Sequence, residues 1–80
     1  MATITFEGHK FTYDEKALTK YSVMKAMTSF QSNPEGFFWA LEQIFKGKDA
    51  EYAALLDDST EKITELLAAI MEKVGEQAKN

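Results

Sequence analysis

The chain contains no cysteine, and it has only one histidine, His9. Without cysteine there can be neither a disulfide nor a thiolate metal site. A single imidazole does not make a metal cage. The four serines have only His9 as a candidate general base, and no glycine-rich phosphate loop is present. This inventory predicts that the protein is not an enzyme and that it holds no metal or cofactor.

Arginine is absent as well, because all nine basic residues are lysines. Arginine supplies the bidentate contacts that dominate nucleic-acid recognition. With a formal net charge of −4 in addition, we expect no binding to DNA or RNA. The charge is uneven: residues 1–48 carry six lysines and five acidic residues, whereas residues 49–80 carry three lysines and eight acidic residues. A basic partner would therefore be attracted to the second half of the chain.

Long apolar runs are missing too, since none approaches the roughly 20 residues that a membrane span needs. Residues 1–6 lack the basic and apolar regions of a signal peptide. We therefore expect a soluble, cytoplasmic protein with no membrane partner. The length predicts a single domain over residues 1–80 with a small core. Six Phe, three Tyr and one Trp offer dense packing in place of disulfides.

Apolar and polar residues alternate on both sides of Gly8, which predicts a β-hairpin over about residues 3–13. Gly8 supplies the positive φ of a tight turn. The alternation puts four apolar residues on one face: Ile4, Phe6, Phe11 and Tyr13. A lone hairpin is marginal in water, so we expect this face to pack on helices.

Apolar residues at helical spacing predict helices in the rest of the chain. Thr19 is a candidate start for the first helix, Asn33 followed by Pro34 for the second, and Asp58 for the last. The predicted helices cover about residues 19–31, 34–46, 50–56 and 60–76. The predicted fold is α+β, an N-terminal β-hairpin packed on a compact bundle of three to four short helices. Its helical core residues are expected to be Val23, Met27, Phe30, Leu41, Phe45, Leu67 and Ile70.

Trp39 does not fit the apolar stripe of its helix. It falls about 200° from Phe37 at ~100° per residue, among acidic and polar residues. Two interpretations remain open. Trp39 is an exposed anchor for a partner, since tryptophan is enriched at interface hot spots, or the hairpin or another helix covers it. For the first interpretation, the candidate anchors are Trp39, Phe38 and Tyr52.

The last helix carries an acidic ridge opposite its apolar stripe. Glu61, Glu65, Glu72 and Glu76 fall within ~60° of one another at ~100° per residue. Such a ridge either meets a basic partner or forms a solvated face. We take Glu61, Glu65 and Glu72 as a candidate rim that supports the aromatic anchors.

The order of these features resembles the small tail assembly chaperones of long-tailed, siphovirus-type bacteriophages and prophages. Those proteins commonly show an N-terminal hairpin with an x-G-x turn, a DE-x-AL helix entry, a helix with a spaced Tyr and Leu, and a closing helix. The matching positions are Gly8, Asp14, Glu15, Ala17, Leu18, the segment 49–56 with Tyr52 and Leu55, and the segment 63–74. The aromatic cluster at residues 37–39 departs from the family's pattern.

The resemblance implies a function in the cytoplasm of the bacterial host. The protein would bind the tape measure protein and keep it soluble while tail-tube subunits polymerise, and it would be absent from the mature virion. Members of this family often also exist as a longer product of ribosomal frameshifting, so the resemblance implies that this chain is the short form.

Other functions fit the same residues. An inhibitor or immunity-type protein would use its acidity to block a basic partner in a tight one-to-one complex. A structural subunit would polymerise through the edges of the hairpin, although Lys10 on the outer face opposes this. Weak self-association would be another way to cover Trp39.

Overall fold

The computed structural model describes residues 1–29 and 31–78, the last three of these by their backbone alone. Phe30 and the side chain of Glu76, which carried predictions, lie outside the described residues. The fold is α+β, as predicted: an antiparallel hairpin precedes four α-helices. The elements are β1 (Ala2–Phe6), β2 (His9–Tyr13), a 3₁₀ turn (Ala17–Thr19), α1 (Tyr21–Met27), α2 (Pro34–Phe45), α3 (Asp49–Leu55) and α4 (Thr60–Ala78).

The hairpin closes through a two-residue turn, Glu7-Gly8, in which both residues have positive φ (49° and 80°). This backbone matches the right-handed twist of the strands, and glycine adopts it without strain. Ile4 pairs with Phe11 in the register, so the predicted apolar face is confirmed. Phe11 and Tyr13 are fully buried, whereas Ile4 and Phe6 are partly buried.

The first helix is shorter than predicted. Thr19 does not cap it, because its hydroxyl donates to the carbonyl of Lys16 and closes the 3₁₀ turn instead. At the other end, the hydroxyls of Thr28 and Ser29 both donate to the carbonyl of Lys25. Hydroxyls that compete for backbone carbonyls in this way disfavour continued helix. The helix predicted over residues 19–31 is therefore limited to Tyr21–Met27.

The starts of α2 and α4 test the capping residues predicted for them. Asn33 caps α2 as predicted, with its side chain accepting from the N–H of Gly36 at 3.2 Å. The prediction that Asp58 caps α4 is wrong: Ser59 accepts from the N–H of Lys62 at 3.2 Å. Asp57 and Asp58 both have positive φ, and the reversed backbone at these two residues brings Ser59 to the capping position.

One core joins the hairpin to all four helices. Five of the seven helical residues predicted for it are buried, Met27 packs partly buried against them, and Phe30 is not described. The apolar stripe of α4 is confirmed: Ile63, Leu66, Leu67 and Ile70 are buried. None of the helices in the described ranges is long and apolar enough to cross a membrane.

Candidate protein-binding surface

The solvent side of α2 exposes two large aromatic side chains. Trp39 is 42% exposed and Phe38 is 46% exposed. On the opposite side of the helix, Phe37, Ala40, Leu41, Ile44 and Phe45 are buried in the core. Trp39 is therefore partly exposed on the surface and is not a core residue. This resolves the question that the helical spacing left open.

Although Phe38 and Trp39 are adjacent in sequence, they line different grooves. Consecutive residues point about 100° apart around a helix. Trp39 lies on a shallow groove between α1 and the start of α2, which we call the aromatic groove. Its lining residues are Tyr21, Ser22, Lys25, Ala26, Ser29, Ser32, Asn33, Gly36 and Trp39. The sequence analysis grouped Trp39 and Phe38 as anchors of one surface, whereas the structure places them on two different surfaces.

Tyr21 is the functional candidate that the sequence analysis missed. It is 78% exposed and lines the aromatic groove together with Trp39. The ammonium of Lys25 lies 5.9 Å from the centre of its ring, within the range of a cation–π contact. The signal was present in the spacing, since Tyr21 falls about 160° from Val23 at ~100° per residue.

Phe38 lies on a second groove, between α2, α3 and the start of α4. We call it the acidic groove, because Asp49 and Asp58 line it. Its other lining residues are Phe38, Leu41, Ala50, Ala53, Ser59, Thr60 and Ile63. Leu41 and Ile63 are buried at its base, and the ring of Phe38 meets the ring of Phe37 edge-on at 5.7 Å.

Tyr52 is not a surface anchor, contrary to the prediction. Its side chain is only 7% exposed. The ring packs edge-on against Phe11 at 4.9 Å and against Phe45 at 5.3 Å. Its hydroxyl accepts a hydrogen bond from the N–H of Thr12 at 3.3 Å. Packing of the hairpin against α3 therefore removes Tyr52 from the candidate binding residues, while Leu55 of the same helix is 45% exposed.

The acidic ridge of α4 is exposed along its described length. Glu61, Glu65 and Glu72 are all exposed, and no described side chain forms a salt bridge with them. They fall about 160–200° from Ile63 at ~100° per residue. The ridge therefore points away from the core and does not border the acidic groove, which Thr60 and Ile63 line. It is a third surface and not a rim around the aromatic residues.

Two sets of charges tie the hairpin to the helices. The ammonium of Lys46 lies 3.1 Å from the carboxylate of Asp14 and holds the pKa of that carboxyl below its usual value. Lys62 lies 2.8 Å from Asp57 and 3.3 Å from Glu7. The hydrogen bond from Lys62 lowers the pKa of Asp57, and the carboxylates of Asp57 and Glu7 raise the pKa of Lys62. These charged pairs lie outside both grooves.

The described residues contain no group of three His, Asp or Glu side chains that could hold a metal ion. The chain matches no model of a known protein family, no curated protein and no solved structure. Its function is therefore inferred from the surfaces of the fold together with the sequence pattern.

Proposed function

We propose that this protein is a tail assembly chaperone that binds the tape measure protein of a long-tailed phage and keeps it soluble during tail morphogenesis. It acts by binding and not by catalysis, in the host cytoplasm, and it is absent from the mature virion. The tape measure protein is its principal partner and the tail-tube subunit a further one. The sequence pattern described above supports this proposal.

The exposure of Trp39 is the observation that supports binding to a protein, whereas the choice of the tape measure protein rests on the sequence pattern. A long helical protein presents apolar stripes that must be shielded from water before assembly. Trp39 and Tyr21 offer two rigid aromatic surfaces on one open groove, and aromatic residues of this kind dominate the energy of protein interfaces. An open groove with aromatic walls suits a helix better than it suits an enclosed small molecule.

The test is co-expression with a tape measure protein from a long-tailed phage, with the soluble complex quantified. We expect Trp39→Ala to weaken binding by about 2 kcal/mol or more, which is roughly a thirtyfold loss of affinity. We expect the same change to lower the free energy of unfolding by less than about 1 kcal/mol, because the side chain is half exposed.

Leu55→Ala is the matched control, since it removes a comparably exposed apolar side chain from neither groove. Its binding should equal that of the wild type. Loss of several kcal/mol of stability in Trp39→Ala would make Trp39 a core residue and remove the support for this surface. A tape measure protein that stays insoluble with the wild-type chain would overturn the proposed function itself.

The exposed ridge of α4 favours a second candidate function, an acidic inhibitor or immunity-type protein that binds a basic partner. Three unpaired carboxylates on one face would attract such a partner and raise its association rate at low salt. Under this alternative, Glu65→Lys slows association and reduces its salt dependence, while Trp39→Ala has little effect. For the chaperone proposed above, we expect Trp39→Ala to have the larger effect on binding and Glu65→Lys the smaller one.

A further inference from the structure

The acidic groove has the size of one or two side chains. Its volume is about 230 Å³, below the roughly 300–1,000 Å³ of small-molecule sites. Buried Leu41 and Ile63 form an apolar base, and half-exposed Phe38 forms one wall. Ala50 and Ala53 leave the opposite wall low, because a methyl group occupies little space. The shape therefore accepts an apolar side chain that enters from a neighbouring surface.

Among the described residues that line this groove, the only charged ones are acidic. Asp49 and Asp58 line it, and no lysine is among its lining residues. Along α2, Glu35 and Glu42 lie on the Trp39 side of Phe38 and do not line the groove, so its negative charge comes from Asp49 and Asp58. The starts of α3 and α4 bring only about half a positive charge each. The carboxylates therefore leave the entrance negative.

We propose that the acidic groove receives an apolar side chain from a partner helix that carries Lys or Arg on the adjacent turns. This inference rests on the proposed function, since it identifies the chemistry of the partner segment. The apolar side chain contacts Leu41, Ile63 and Phe38, and the cations one turn away pair with Asp49 and Asp58. Basic residues at three- or four-residue spacing give the partner its preferred orientation.

A second copy of this chain is the main competing occupant. Tyr21 is exposed and has Lys20 and Lys25 beside it, so it has the required chemistry. However, Lys25 already lies over the ring of Tyr21, and two copies that each carry a net charge of −4 repel one another. A separate basic partner does not meet this repulsion.

The experiment uses two model peptides of about 18 residues, five helical turns. Both carry the same leucine stripe, and they differ only in having lysine or glutamate beside it. Titration into the ¹⁵N-labelled protein is followed by NMR. We expect the lysine peptide to bind more tightly and to shift the amide signals of Ala50, Ala53 and Thr60.

Two pairs of variants separate the apolar and charged parts of the groove. Ala50→Leu fills the groove and should weaken the lysine peptide tenfold or more, whereas the exposed Ala68→Leu on α4 should have no effect. Asp49→Asn and Asp58→Asn should each weaken binding about two- to fivefold at low salt. Asparagine tolerates the positive φ of residue 58. Glu72→Gln removes the same charge from the α4 ridge and should leave binding unchanged.

Equal affinity for the two peptides would overturn the inference. So would signal shifts centred on Trp39 and Tyr21 that survive Ala50→Leu, although the proposed function would then remain intact. Self-association that both Tyr21→Ala and Ala50→Leu abolish in sedimentation would assign the groove to a second copy. Conversely, failure to keep the tape measure protein soluble, with lysine-peptide binding in the groove retained, would overturn the proposed function alone.

Discussion

The backbone N–H of Thr12 donates a hydrogen bond to the hydroxyl of Tyr52, with 3.3 Å between the two atoms. Thr12 lies in β2 and Tyr52 in α3, so this bond joins two elements separated by forty residues of sequence. The ring of Tyr52 also lies edge-on between Phe11 of β2 and Phe45 of α2. One side chain thus holds the hairpin, α2 and α3 together.

Replacement of Tyr52 should therefore affect stability and not partner binding. We expect Tyr52→Ala to lower the free energy of unfolding by about 3–5 kcal/mol, as removal of a buried aromatic ring does. Tyr52→Phe should lower it by about 1 kcal/mol, because the N–H of Thr12 loses its acceptor while the ring packing remains. Denaturant unfolding measures both values. If Tyr52→Ala is as stable as the wild type, Tyr52 is a surface residue after all.

The hydroxyl of Tyr13 is buried, and among the described residues it has no hydrogen-bond partner. An unsatisfied buried hydroxyl costs about 1–3 kcal/mol. We therefore expect Tyr13→Phe to raise the free energy of unfolding at pH 7 by about 1 kcal/mol. A stability loss of similar size would instead show that the hydroxyl has a partner.

The same residue should affect stability at alkaline pH. Burial, together with the nearby charge of Glu15, raises the pKa of Tyr13 above its usual 10.0. As the pH rises, the unfolded chain therefore loses the hydroxyl proton of Tyr13 before the folded chain does. The folded state consequently loses stability as the pH rises above about 10. Tyr13→Phe should show a shallower alkaline decline.

The Asp14–Lys46 pair should contribute to stability against acid. The hydrogen bond from Lys46, with a smaller contribution from the backbone N–H of Lys16, lowers the pKa of Asp14 below 3.8. As the pH falls, the unfolded chain therefore binds a proton at Asp14 before the folded chain does. The contribution of the ionised carboxylate to stability is present above about pH 4 and is lost as the pH falls through the pKa of Asp14 in the folded chain. Asp14→Asn should make the loss of stability between pH 4 and pH 2 shallower.

Lys46→Gln should also make the loss of stability in acid shallower, but less so than Asp14→Asn, because the backbone N–H of Lys16 and the charge of Lys20 still lower the pKa of Asp14. The double variant should behave as Asp14→Asn does, because Lys46 affects stability in this pH range through the carboxyl of Asp14. Unfolding followed by circular dichroism across this pH range measures all three. If Lys46→Gln loses stability with falling pH as steeply as the wild type does, Lys46 is not the cause of the lowered pKa of Asp14.

Local backbone physics accounts for the features that could be predicted from the sequence. Strict alternation around Gly8 leaves only one face on which Phe11 and Tyr13 can be buried. Asn33 followed by Pro34 pre-forms the first turn of α2 through a side chain bond and a fixed φ. The long stripe of α4 repeats often enough to identify both the helix and its buried face.

Competition between close alternatives accounts for the errors in local structure. Thr19, Thr28 and Ser29 each had two hydrogen-bonding choices. The hydroxyls of Thr28 and Ser29 bond to the carbonyl of Lys25, which a longer α1 would have used, and the hydroxyl of Thr19 bonds to the carbonyl of Lys16 instead of capping the helix. Asp58 and Ser59 are both good caps, and only the reversed backbone before α4 selects Ser59. A sequence pattern does not contain the small energy differences that decide such cases.

By itself, the sequence determined the fold class, the apolar faces and the position of Trp39 outside the apolar stripe of its helix, because each depends on spacing within one element. Only the tertiary structure decided how those elements meet. The hairpin and α3 enclose Tyr52, while α1 and α3 lie on different sides of α2 and separate Trp39 from Phe38. The reason is geometric: exposure after packing depends on the neighbouring elements, and their positions follow from contacts between residues far apart in the chain.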